Sequence, residues 1–243
     1  MRIWTIGDLH LSMDPRIEKP MDIFGGNWIN HDVKLKEIWE KTIAQNDVIV
    51  IPGDISWALK LEEAKADLAW IDALPGKKLI LKGNHDLWWA SMSKMKGLYG
   101  SIDFLQHDAR IYGNVVVFGT RGWICPGSRD FSQADEPIYR RETLRLQMSA
   151  DDALRLGSEY KNETGKEPVY IGAMHYPPMN ERTDGSEFTK IFKQTGAKKV
   201  IYGHLHGENA FKNGPQGLID GIEYSLVSLD RLACCPMLLY KGE

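Results

Sequence analysis

Cysteine is scarce in this chain: three residues in 243, at positions 125, 234 and 235. An odd and scattered set builds no disulfide framework, which excludes a small stapled secreted scaffold and fits a reducing, cytoplasmic setting. The adjacent pair Cys234-Cys235 precedes an apolar run and is expected to be buried as small hydrophobes. No cationic-then-apolar leader opens the sequence, and no apolar run is long enough to cross a membrane. Charge of one sign is lacking too, with 30 Lys and Arg against 33 Asp and Glu for a net of −3. That balance leaves no basic footprint for a long nucleic acid, although a small anionic ligand remains compatible with it. There are no repeats and no low-complexity segments. With 43% hydrophobic residues, one α/β domain spanning residues 1–243 with a sizeable core is expected.

What the sequence does have is alternation. Short, apolar, often β-branched runs predict strands over residues 2–6, 48–51, 78–81, 115–118, 169–174 and 199–202, with two late strands over 222–229 and 237–240. Helical spacing predicts helices over 33–45, 61–73, 138–160 and 187–194. The first places Leu35, Ile38, Trp39 and Ile43 on one face, and the second Ala64, Leu68 and Ile71. The strand–helix alternation of the first half and the strand-rich last quarter suggest two packed sheets flanked by helices, not one doubly wound sheet. Three stretches without clear periodicity, 11–32, 122–137 and 176–186, begin at or near strand ends and are candidate substrate-facing loops.

Five of the seven histidines fall in five short segments, each after an apolar run. GDLH carries Asp8 and His10, and GDIS carries Asp54. GNHD carries Asn84, His85 and Asp86, MHYP carries His175, and GHLHG carries His204 and His206. In an extended segment, Asp8 and His10 would point to one face and share a cation. Consecutive side chains diverge, so Asn84 suits a metal while His85 faces the substrate. The donor set is Asp8, His10, Asp54, Asn84, His175, His204 and His206. Seven donors exceed what one zinc-type ion takes and suit two ions. Oxygen and nitrogen donors without thiolate favour divalent Mn, Fe, Zn or Ni.

The ordered set D-x-H, G-D, G-N-H-D, H and G-H-x-H resembles the calcineurin-like metallophosphoesterase superfamily, from Asp8 to His206. The resemblance implies a four-layer αββα sandwich of two mixed β-sheets flanked by helices, with a dinuclear metal centre at the strand ends. It implies that Asp8, His10 and His206 hold one ion, that Asn84, His175 and His204 hold the other, and that Asp54 bridges them. His85 would protonate the leaving group and Asp86 would orient it. The implied activity is a phosphohydrolase in which a metal-bridging hydroxide attacks a small phosphorylated substrate, either a phosphomonoester or a phosphodiester. The segment 11–32 departs from the family by its length and would reshape the pocket.

Two further residues are candidate substrate contacts. Arg121 ends a strand and could pair with phosphate through its planar fork, or form a structural salt bridge. His31 lies in the early loop and could reach the substrate, with a solvated loop position as the alternative. Trp28, Trp57, Trp88, Trp89 and Trp123 lie in or near the motif loops, where they either stack a base or pack the loops. A non-catalytic scaffold or binding protein on the same fold is the alternative function, but it would be expected to have lost His85 or several ligands. A metallo-β-lactamase-type hydrolase would need HxHxDH, whereas GHLHG is followed by Glu208 and Asn209.

Overall fold

The computed structural model describes residues 1–242. The chain forms two compact units, Met1–Phe104 joined by the chain from Val227 onward, and Leu105–Leu226. Each has its own sheet and helices.

In the first unit the strands are β1 (Arg2–Thr5), β2 (Val48–Pro52), β3 (Lys77–Leu81), β4 (Ile102–Leu105) and β11 (Met237–Lys241), in the spatial order β11-β1-β2-β3-β4. β1, β2 and β3 run parallel, and β11 is antiparallel at the edge. Strand β2, VIVIP, is buried along its whole length, as a central parallel strand must be. Its Ile49 and Ile51 share a core with Leu35 and Trp39 of α1 (His31–Thr42) and with Ala64, Leu68 and Ile71 of α2 (Leu61–Ala73). Those are the faces that helical spacing predicts. A four-residue helix, α3 (Met92–Met95), adds Met95 to the same core.

In the second unit the strands are β5 (Ala109–Tyr112), β6 (Val115–Thr120), β7 (Val169–Met174), β8 (Lys199–Tyr202), β9 (Gly217–Ile219) and β10 (Ile222–Leu226). Their order is β5-β6-β7-β8-β10-β9, with β6, β7, β8 and β10 parallel and an antiparallel strand at each edge. The long helix α4 (Glu136–Thr164) lies against β5, β6 and α5 (Glu187–Thr195). Pro137 opens α4, where a missing N–H costs nothing, and Gly165 closes it in the left-handed region. Ser186 caps α5 by accepting from the Thr189 N–H at 3.2 Å.

Two mixed sheets flanked by helices is the expected α/β class. Strands β4, β5 and β9 escape sequence reading because Asp103, Arg110 and Gly217 break their apolar runs, and α3 because four residues show no helical period. The strand expected to reach residue 229 ends at Leu226, since the Val227 carbonyl turns to accept from the Gly7 N–H at 2.7 Å. Of the paired cysteines, Cys234 is buried, but Cys235 is exposed, contrary to expectation. Among the described residues no helix is long and apolar enough to cross a membrane.

The start of the first unit is fixed by one buried carboxylate. Asp47 accepts from the Arg2 N–H and Nε at 2.9 Å, from Arg2 Nη2 at 2.6 Å, from the Ala44 N–H at 3.0 Å and from Trp4 Nε1 at 3.2 Å. Burial pushes this carboxyl up, but its donors, Arg2 foremost, outweigh burial and leave it at about 2. A carboxyl depressed on folding stabilises the protein above its unfolded value and loses that contribution as pH falls through the folded one. Asp47→Asn is therefore expected to cost about 2 kcal/mol at pH 7. Denaturant melts of both proteins should converge as pH falls from about 4 towards 2; a gap independent of pH would refute the ionic origin.

Candidate metal centre

In the first unit the site begins where β1 and β2 end. The two loops continue the parallel pairing: the N–H groups of Asp8, His10 and Leu11 donate to the carbonyls of Gly53, Asp54 and Ile55 at 3.0, 3.0 and 2.9 Å. Asp8, His10 and Asp54 all lie in the left-handed region, with φ of 56°, 45° and 53°. Each such residue costs about 1–2 kcal/mol where the side chain is not glycine. Asp8 and His10 therefore do not share a face by extended alternation, as expected from their spacing. They converge because the backbone turns left-handed on both sides of Leu9. The Asp8 carboxylate comes within 4.8 Å of donor atoms on His10 and Asp54, and His10 Nε2 lies 3.8 Å from Asp54 Oδ2.

Asp86 holds this arrangement from beneath. Its carboxylate is fully buried and accepts five N–H groups: Gly83 at 2.7 Å, Ile55 at 2.8 Å, Asp54 at 2.9 Å, Ser56 at 3.2 Å and Trp88 Nε1 at 2.9 Å. Burial and the neighbouring Asp54 charge push the carboxyl up to about 6, against the pull of those N–H groups. The GNHD segment then splits by direction. Asp86 is buried, Asn84 half-buried and His85 exposed. The His85 N–H donates to Asp54 Oδ1 at 2.8 Å, so one carboxylate fixes the loop that carries both Asn84 and His85.

Aromatic rings surround the histidines of this unit. Trp57 stacks on His10 at 4.7 Å and sits 4.6 Å from the His85 ring, while Trp28 meets His10 edge-on at 5.7 Å. The segment 11–32 supplies Trp28, and it also supplies Met21, whose sulfur accepts from Trp57 Nε1 at 3.3 Å. Trp88 and Trp89 instead pack on Phe104. The motif-loop tryptophans of this unit thus hold histidines and core in place. Trp57, which the sequence leaves between base stacking and loop packing, packs against both His10 and His85; its signal is its place directly after GDIS.

In the second unit His175 follows β7 and is wholly buried. Its N–H and that of Tyr176 both donate to the Arg121 carbonyl, at 3.1 and 2.9 Å, and its own carbonyl accepts from Gly203 at 3.0 Å. His204, left-handed at φ 73°, brings its ring 5.1 Å from His175 and 4.1 Å from Tyr176. His206 is half-buried beside the turn at Gly207.

Two expectations change. His31 is not a solvated loop histidine but the first residue of α1, 7% exposed. Its Nε2 and Nδ1 lie 3.0 and 3.2 Å from the carbonyls of Leu9 and Trp28, so neither ring nitrogen is left for a substrate. It ties segment 11–32 to the backbone between Asp8 and His10. Arg121 takes the salt-bridge alternative. Its guanidinium lies over Trp123 at 4.9 Å, and Nη2 is 3.4 Å from the buried Glu142, which also binds Arg145 at 2.7 Å.

The candidate donors are carboxylate, imidazole and amide in the first unit and imidazole alone in the second, with no thiolate in either, a set that fits divalent Mn, Fe, Zn or Ni. The sequence matches the calcineurin-like phosphoesterase family over residues 1–208. It is 29% identical over 234 residues to the Gene 66 protein of Mycobacterium phage D29, covering 95% of this chain and 93% of that protein. The Gene 66 protein of Mycobacterium phage L5 is 31% identical over 83 residues, 34% of this chain and 39% of that one. Two solved structures share the fold at 14% identity. The phosphopantetheinyl hydrolase of Mycobacterium tuberculosis has a TM-score of 0.52, with 99% of this chain and 96% of that one covered. A protein of unknown function from Aquifex aeolicus has a TM-score of 0.51, with 98% and 95% covered. The chain belongs to the calcineurin-like phosphoesterase family. It is a metal-dependent phosphoesterase.

Gly83 is a sharp point of failure in this geometry. A Cβ there would lie 2.1 Å from Asp54 Oδ1 and 2.2 Å from the Asp54 nitrogen. Gly83→Ala is expected to cost about 3 kcal/mol or more in a denaturant melt, and to shift the His85 amide resonance as its bond to Asp54 breaks. A wild-type melt and an unmoved resonance would contradict the crowding.

Proposed function

We propose that the chain hydrolyses a small phosphoester using two divalent ions, with His85 as the proton donor. Asp8, His10 and His206 would hold one ion, Asn84, His175 and His204 the other, and Asp54 both. The observation that carries this reading is the family match over residues 1–208, which contains all five motifs with every candidate donor present. When bound, the ions supply positive charge against the anionic phosphate and make water acidic enough to attack. The protein's own groups do the rest. His85 is exposed, its backbone is pinned by Asp54, and its ring lies against Trp57 and 5.6 Å from the His10 ring. That placement suits transfer of a proton to a departing alkoxide, a step worth roughly 10²–10⁴ in rate. Asp86 acts through the backbone of residues 54–56 and 83, which carries both Asp54 and the Asn84-His85 pair. The reducing cytoplasm, supported by three unpaired thiols, is the proposed setting.

The test is metal analysis combined with hydrolysis of bis-p-nitrophenyl phosphate and p-nitrophenyl phosphate by the Mn-loaded protein. The faster of the two assigns diesterase or monoesterase; no hydrolysis of either by metal-loaded protein would leave only a binding protein on this fold. His85→Ala should keep its metal and lose about 10²-fold or more with unactivated alkyl esters, and less with p-nitrophenyl esters. Loss of metal, with equal losses on both kinds of ester, would remove His85 from the donor role.

Trp57 supplies a second check. Trp57→Leu is expected to lower kcat several-fold with KM little changed, because the His85 ring loses the surface that restricts it. A pH–rate profile should shift with it. A changed melt with an unmoved profile would reduce Trp57 to a structural residue.

A further inference from the structure

The second unit contains a cavity of about 150 Å³ with His204 in its wall. It is built by the two stretches without periodicity. Cys125, Ser128 and Asp130 come from 122–137, and Tyr176, Met179 and Glu181 come from 176–186. These stretches are tied to each other. Asn180 Nδ2 donates to the Pro126 carbonyl at 3.2 Å and to Asp184 at 3.0 Å, while its Oδ1 accepts from the Arg182 and Asp184 N–H groups at 3.0 and 3.1 Å. Glu181 Oε1 accepts from Ser128 Oγ at 2.7 Å and from the Arg129 N–H at 3.3 Å. The cavity is therefore formed in advance, not folded around a ligand.

Its chemistry is one-sided. Cys125, Tyr176, Met179 and Leu205 give apolar walls, and burial pushes the Cys125 thiol up to about 12, keeping it neutral. The two full charges in the lining are carboxylates, Asp130 and Glu181. Burial works against ionisation of Glu181, but Ser128 and backbone N–H groups outweigh it and hold the carboxyl below its ordinary value. The bonds from Ser128 and Arg129 both fall on Oε1, so neither of them occupies Oε2. Of the nearby cations, Arg182 is spent on Asp184 and the Gly127 carbonyl at 3.0 and 3.1 Å, and Arg129, outside the lining, draws the Glu181 carboxyl down.

We propose that this cavity is the subsite for the alcohol portion of the substrate, and that it selects a compact group carrying hydroxyl or ammonium donors and no anionic charge. The proposal rests on the two-metal phosphoesterase reading and specifies its substrate class. A cavity near 150 Å³ encloses about one six-membered ring. A polyol or amino-alcohol head fits that space, and its donors meet Glu181 and Asp130. A leaving group with its own phosphate or carboxylate meets two carboxylates at close range, and few donors offset them. The p-nitrophenyl ring fits by size alone, so its hydrolysis reports the reaction and not the selection.

The test measures kcat/KM of Mn-loaded protein for O-phosphoethanolamine, glycerol 2-phosphate and 3-phosphoglycerate, with p-nitrophenyl phosphate and its bis ester as reaction controls. The first two are expected to exceed 3-phosphoglycerate by about tenfold or more. Glu181→Gln should narrow that ratio and Glu181→Lys should invert it. Asp130→Lys, at an exposed position where folding is not at stake, should move the ratio the same way. A wild-type preference for 3-phosphoglycerate, or a ratio that none of the three variants moves by more than twofold, overturns the subsite. Absence of hydrolysis of either p-nitrophenyl ester overturns the phosphoesterase reading instead, and the subsite with it.

Discussion

One buried carboxylate organises half of the proposed centre. Asp86 collects N–H groups from Asp54, Ile55, Ser56 and Gly83 and from the Trp88 indole. A buried carboxylate is costly unless its oxygens are satisfied, and five donors do so here. Its effect is to lock the loop after β2 to the loop after β3. Asp54 then faces Asp8 and His10 on one side, and on the other it accepts the His85 N–H. Remove that hub, and the backbone at residues 54–56 and 83 loses its shared acceptor. The loops that carry the proposed ligand Asp54 and the proposed proton donor His85 thus share one buried carboxylate.

The second unit solves the same problem differently. There the parallel strands β6, β7 and β8 end side by side, and the Arg121 and His175 carbonyls link the three ends. Main-chain bonds do in this unit what the Asp86 side chain does in the first. Arg121 serves the arrangement through its carbonyl, while its guanidinium belongs to the Glu142 ion-pair network.

Much of this was legible in the sequence for identifiable reasons. Eight of the strands announce themselves as apolar, often β-branched runs, and the helical faces at Leu35, Trp39, Leu68 and Ile71 follow from spacing alone. The order of the five polar segments names the family, since their joint occurrence is far rarer than any one dipeptide. What could not be read depends on backbone torsion and on contacts distant in sequence. Spacing assigns Asp8 and His10 to an extended strand end, but left-handed torsions are invisible to periodicity. His31 looked solvated because loop composition says nothing about two carbonyls waiting at Leu9 and Trp28. The subsite depends on Asn180 reaching Pro126, a pairing across 54 residues that no local pattern encodes.

The left-handed torsions at Asp8, His10, Asp54 and His204 have an evolutionary consequence. At each position glycine is the residue the backbone would prefer, and an acid or imidazole is what the chemistry demands. Glycine at any of the four would relax the backbone while removing a candidate donor. Selection for folding alone would favour glycine at these four positions, so the backbone's preference and the proposed chemistry pull in opposite directions.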